Sequence, residues 1–147
     1  MNEKQTEIIK RKEVEDDLRS ELETTIAQRV SRYLEIGHQW IIGGQYFAEA
    51  STECIFLYRD GRFIAAVMMS HAINEAIIRF AAERNGIPRT SGTGETKSAE
   101  ELLSELEKGG KFSSKCVMAS RKICGSYRND VHHLNPTIAK IDFASLA

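Results

Sequence analysis

Apolar residues recur every four positions near the start of the chain: Val14, Leu18, Leu22, Ile26, Val30 and Leu34. They lie in a stretch from Glu3 to about Gly37 that has no proline or glycine and is dense in charge of both signs. This pattern predicts one long helix. At about 100° per residue a four-residue step drifts by about 40°, so Val14 and Val30 point about 160° apart and the stripe makes a poor heptad seam. A face that rotates in this way suits a helix packing on its own bundle at one end and on a second copy of the chain at the other. The expected assembly is a homodimer.

Gly43-Gly44 interrupts the pattern after HQWII, and QYFAEASTECIFLYR predicts a second helix that ends at Arg59-Asp60-Gly61-Arg62. RFIAAVMMSHAINEAIIRFAAERNG is the most apolar segment. Two stripes run along it, Phe63, Val67, Ser70, Asn74, Ile77 and Ala81 beside Ile64, Met68, Ala72 and Ala76, which predicts a central helix nearly surrounded by others. Asn85-Gly86 is its stop, with Pro88 beyond. IPRTSGTGETK reads as a flexible polar loop, and its GTGETK lacks both the spacing of a phosphate-binding loop and a preceding strand. Ser98 and Glu101 form a capping box for SAEELLSELEK, which stops at Gly109-Gly110. A fifth helix is predicted from about Ser113 through RNDVHH, with Val117, Ser120, Cys124, Tyr127 and Val131 along one face, until Pro136 breaks it. The tail TIAKIDFASLA returns some apolar residues to the surface or the core. No segment alternates as a strand does. The chain reads as a single all-α domain, a bundle of about five helices: a long amino-terminal helix over 1–38, a core over 40–135 and a tail over 136–147.

Composition narrows the functional classes. The 147 residues are enough for one core without disulfides or metal staples. The amino terminus has no apolar signal core, and the longest uncharged apolar run, FIAAVMMSHAIN, is too short to span a bilayer, so a cytoplasmic protein with no membrane partner is expected. Cys54, Cys116 and Cys124 are odd in number and form no CxxC pair; they read as small buried hydrophobes. The net charge of −1 argues against a generic nucleic-acid binder, but the charge is unevenly spread. Residues 95–107 hold five acids and one lysine, whereas residues 108–128 hold six basic residues and no acid. That stretch is a candidate anion surface, or a helix that neutralises its acidic neighbour.

Immediately after it comes SYRNDVHHLN, residues 126–135, with an arginine, an asparagine, an aspartate and two histidines. Adjacent histidines on a helix point about 100° apart and rarely share one metal ion. His71 and Glu75 have the right i, i+4 spacing for two ligands, but a third would have to come from His132 or His133. Hydrogen bonding of Asn74 and Glu75 across the bundle is the simpler account, so no metal and no cofactor are expected. No serine elbow supports a nucleophilic triad, and no carboxylate pair in an apolar setting supports glycoside chemistry. General acid–base cleavage of RNA fits better. It needs a base for the 2′-hydroxyl proton, a cation for the developing phosphorane charge and an acid for the leaving oxygen. Arginine and histidine suit these roles at neutral pH.

Arg128-Asn129-Asp130-Val131-His132-His133 matches the RNxxxH form of the Rx4-6H motif, and the chain resembles the HEPN (higher eukaryotes and prokaryotes nucleotide-binding) superfamily. LYRDGRFIAAVMMSHAINEAIIR, residues 57–79, is similar to that family's helix pair, with Glu75 on the second helix. The resemblance spans roughly residues 40–135. It implies a dimeric bundle of four or five helices whose two motifs face each other across a cleft, and an endoribonuclease that works without metal. Arg128 would be the phosphate-binding cation, His133 the acid–base residue and Asn129 the residue that positions them. Tyr127, Asp130, His132 and Glu75 would support the site, and Lys115, Arg121 and Lys122 would hold the RNA. Relatives include toxins paired with a nucleotidyltransferase-type antitoxin, phage-defence effectors, and non-catalytic interaction modules, the alternative for this chain. In an ideal helix Arg128 lies about 40° from His132 and about 140° from His133, so geometry and motif choose different histidines.

Overall fold

The computed structural model describes residues 3–36, 44–125, 127–133 and 135–143. The expected helix end at Gly37, the boundary at 38–40, HQWII, Gly43 and the last four residues of the tail lie outside the described residues. The elements are α1 (Glu3–Glu35), α2 (Ala48–Arg59), α3 (Phe63–Arg84), α4 (Ala99–Lys108), α5 (Ser114–Gly125), α6 (Arg128–His133) and a 3-10 turn, Pro136–Lys140. The fold is all-α; among the described residues the one β feature is an isolated bridge between Thr90 and Thr96. The chain divides into two compact units, Met1–Gln39 and Trp40–Ala147.

The first unit is α1 itself. Its four-residue stripe is exposed throughout, with Leu18 at 61% and Leu34 at 77%. Helicity here rests on local terms: good helix formers, the Glu15–Arg19 pair at 2.8 Å and the reach of Arg29 to Glu21 at 3.6 Å.

The second unit is organised on α3, which contacts α2, α4, α5 and α6. Its buried line is Val67, His71, Asn74, Ile78 and Ala82, at steps of three or four. Ile78 and Ala82 enter one core with Ala99, Leu102, Leu103 and Leu106 of α4 and Val117 of α5. Val67 enters a second, smaller core with Val131 of α6 and Phe143, joined by Phe63, Met68, Ile138 and Ile141. The tail therefore returns its apolar residues to a core. Between the two cores α3 presents a polar waist, His71, Asn74 and Glu75. Asn74 is buried, and its Nδ2 donates to the Ser120 carbonyl at 3.2 Å and to Cys124 Sγ at 3.1 Å, which ties α3 to α5.

Helix ends follow the sequence signals. Ser98 Oγ accepts from Glu101 N and the Glu101 carboxylate accepts from Ser98 N, completing the capping box. Gly86 follows α3 at φ +68, a left-handed conformation that costs a non-glycine residue about 1–2 kcal/mol, and Ile87 N then donates back to the Ala82 carbonyl at 2.9 Å. The same arrangement closes α2 with Arg62 N on Leu57 O and α4 with Lys111 N on Leu106 O.

Four expectations are corrected. The fifth helix is not continuous: α5 stops at Gly125, Tyr127 takes φ +52, and α6 begins at Arg128. Val117, before the break, enters the first core and Val131, after it, the second. Secondly, α3 touches α2, α4, α5 and α6 but is not closed off all round: among the described residues Ala65 and Ala72 are exposed and Ile64 is 39% exposed. Over its full length α3 has the length and apolarity of a membrane span, with 28% of its most apolar window buried. Thirdly, Cys116 is exposed in the first turn of α5, which fully buries only Val117 and Ser120; Cys54 and Cys124 are half-buried. Finally, the loop after α3 is internally bonded, with Ser91 N donating to Glu95 O and Lys97 N to Arg89 O, both at 2.8 Å.

Leu102, with none of its surface exposed, and Leu18, at 61%, give opposite expectations for truncation. Leu102→Ala should cost about 3 kcal/mol through lost burial and the cavity left behind, whereas Leu18→Ala should stay within about 0.5 kcal/mol. Urea midpoints at constant m-value measure both.

Candidate functional site

α6 has six residues, too few to persist alone in water, so its placement depends on what it lies against. Val131, with no exposed surface, sits in the second core beside Val67; full burial of such a side chain contributes about 1.5–3 kcal/mol. That is enough to offset the roughly 1–2 kcal/mol cost of the left-handed Tyr127. Asn135 closes the far end: its N–H donates to the Asp130 carbonyl at 3.0 Å and its Nδ2 to Asp130 Oδ1 at 3.2 Å. Asp130 thus serves the helix end.

Two contacts then set how α6 is rolled about its own axis. Arg128 Nη2 donates to Glu75 Oε2 at 3.0 Å. One turn on, the His132 ring stacks on the buried His71 ring, with centroids 5.6 Å apart and planes at 28°. Both partners on each helix are spaced i, i+4, and the pairs run in opposite order: Glu75 meets Arg128 and His71 meets His132. Two antiparallel helices with these residues facing each other produce this ladder. Such a ring pair adds about 0.5–1.5 kcal/mol and a partly exposed ion pair at most about 1 kcal/mol. Burial of Val131 therefore holds α6 down, and the polar ladder chooses its rotation.

The neighbouring face of α6, about 100° round, carries Asn129 and His133, also i, i+4 and both exposed. The structure pairs Arg128 with Glu75 and His132 with His71, and puts Asn129 and His133 on this neighbouring face; all four α6 side chains remain exposed. Tyr127 is 46% exposed at the entrance to α6.

Glu75 is shared. Its Oε1 accepts from Arg79 at 2.7 Å while Oε2 accepts from Arg128, so two guanidinium groups meet one carboxylate and the cluster keeps a surplus positive charge. The Arg79 hydrogen bond, with the charges of Arg79 and Arg128 and the Arg128 bond, outweighs partial burial and holds the Glu75 carboxyl below the usual carboxylate range. Among the described residues no three His, Cys, Asp or Glu side chains are grouped as a metal cage requires.

The basic stretch is divided in its contacts. Lys115, Arg121 and Lys122 are all exposed on α5. Arg121 is engaged by the acidic helix: its Nε donates to Glu100 Oε1 at 2.9 Å and its Nη1 lies 3.4 Å from Glu107, which holds its proton more tightly than usual. The reading of the charge pattern as an acidic and a basic helix that neutralise each other thus has Arg121 behind it. Arg79 and His71 are the site residues that the sequence reading did not place; the matched i, i+4 spacings of His71 with Glu75 and Arg128 with His132 were the available signal.

No protein-family model, curated protein or solved structure matches the chain.

The lowered Glu75 titration has a definite sign. A carboxylate held below its unfolded value stabilises the fold above that value, and the contribution is lost as pH falls through the lower, folded value. Glu75→Gln should therefore be less stable than wild type at pH 7, with the two melting temperatures converging as pH falls below the usual carboxylate range. A gap that is constant with pH would contradict the assignment.

Proposed function

We propose that this protein is a metal-independent endoribonuclease of HEPN type, with Arg128 binding the scissile phosphate and His133 transferring protons. The observation that carries the reading is the surplus cation: Arg79 and Arg128 share Glu75, so a guanidinium charge remains to meet a phosphate, beside a face that presents His133 and Asn129 to solvent. In the cleavage an imidazole takes the 2′-hydroxyl proton, that oxygen attacks phosphorus, and the 5′-oxygen leaves with a proton from an acid. Arg128 neutralises the pentavalent oxyanion between these steps. One imidazole on each side of the phosphate would complete the chemistry, which a homodimer with opposed α6 helices supplies. Exposed Lys115 and Lys122 on the preceding helix suit the RNA backbone. The resemblance extends the reading to a cytoplasmic toxin or phage-defence effector, restrained in the toxin case by a nucleotidyltransferase-type antitoxin.

A second reading rests on the Arg128–Glu75 contact itself. A guanidinium already bound at 3.0 Å is a structural clamp, as suits a non-catalytic interaction module of the same fold.

RNA cleavage in EDTA separates the two. The ribonuclease reading predicts activity that persists in EDTA, falls about 100-fold or more in Arg128→Ala and falls about 100- to 10,000-fold in His133→Ala. A stable dimer that cleaves no RNA under these conditions would favour the interaction module.

A further inference from the structure

The two histidines of the motif occupy different faces of α6, and His132 has a ring stacked on it from α3. His71 lies at 4% exposure on the polar waist of α3, too enclosed to follow a substrate, and its ring covers one face of the His132 imidazole. Arg128 and His132 reach α3 together, through the ion pair and the ring stack, and are otherwise exposed; Asn129 and His133 share the next face, about 100° round, and are exposed as well. A stack at one end of the helix and an ion pair at the other fix a single rotation of α6, and that rotation projects His133.

We infer that His71 is a positioning residue: by stacking on His132 it commits that imidazole to holding α6, and so makes His133 the histidine that transfers protons. The contact needs an aromatic ring at both positions and needs neither ring to carry a proton. A side chain of similar bulk without a ring would leave the ion pair alone to set the rotation. The assignment to His133 rests on the ribonuclease reading, whereas the stack and its control of α6 do not.

The test combines RNA cleavage in EDTA with amide hydrogen exchange of α6 in the absence of RNA, for His71→Phe, His71→Leu, His132→Phe, His132→Leu and His133→Ala. Phenylalanine at 71 or 132 keeps the stack, so cleavage should remain within about threefold of wild type and exchange should be unchanged. Leucine at either position should lower kcat about tenfold with KM little moved, and should speed exchange of the Val131, His132 and His133 amides about tenfold. His133→Ala should lose about 100-fold or more in kcat with exchange unchanged. Cleavage that survives in His133→Ala and disappears in His132→Phe would assign the chemistry to His132 and overturn the inference. Unchanged α6 exchange in His71→Leu would overturn the positioning role whatever the RNA assays show. A wild type that cleaves no RNA, with exchange still accelerated in His71→Leu, would remove the ribonuclease reading and the assignment to His133 while supporting the stack.

Discussion

Glu75 receives two guanidinium groups, Arg79 from its own helix and Arg128 from α6, and the placement of the carboxy-terminal motif turns on that shared carboxylate. It lies on the stretch of α3 between two apolar cores, where His71 and Asn74 are also found. Each polar residue of this waist reaches a different partner: Asn74 holds α5, Glu75 and His71 hold α6. The apolar cores supply most of the free energy, since Leu102, Leu103, Leu106, Ile78, Val117 and Val131 are almost fully buried. The waist supplies direction. Without it Val131 could be buried with α6 at several rotations, each presenting different side chains to solvent.

The break at Tyr127 serves the same end. A helix running from α5 through the motif would have carried the motif straight along the axis of α5. The turn gives each core its own valine and swings the motif onto the waist, at the cost of one non-glycine residue in the left-handed region. The surplus charge of the Arg79–Glu75–Arg128 group then lies on the side of α6 that meets α3, with the exposed His133 on the neighbouring face. A pairing of one arginine with one carboxylate would have left no such charge.

Much of this was legible in the sequence where local chemistry is strong. The absence of proline and glycine fixed α1, Ser98 with Glu101 fixed the start of α4, and the glycines after α2, α3 and α4 marked their ends because a left-handed residue is needed there. The break at Tyr127 was not legible. Val117, Ser120, Cys124, Tyr127 and Val131 keep helical spacing across it, so periodicity runs straight through and does not mark the left-handed residue that separates α5 from α6. Cys116 was misread for a similar reason: burial of a small residue depends on which helix covers it, which spacing on its own helix does not reveal. For the site, Arg128, Asn129 and His133 stood out as a motif. Arg79 meets Glu75 within α3 at i, i+4 spacing, whereas the role of His71 depends on a long-range pairing of α3 with α6, visible only as two matched i, i+4 pairs, one of which also resembled half a metal site.

Contacts with α3 hold α6 in one rotation, and the coupling between Glu75 and Arg128 measures that most directly. A double-mutant cycle with Glu75→Gln and Arg128→Gln, read from urea unfolding at pH 7 and low salt, should give a coupling energy of about 0.5–1 kcal/mol. Single and double variants that add to within about 0.3 kcal/mol would mean that the two side chains do not act on each other, and the proposed orientation of the motif would lose its basis.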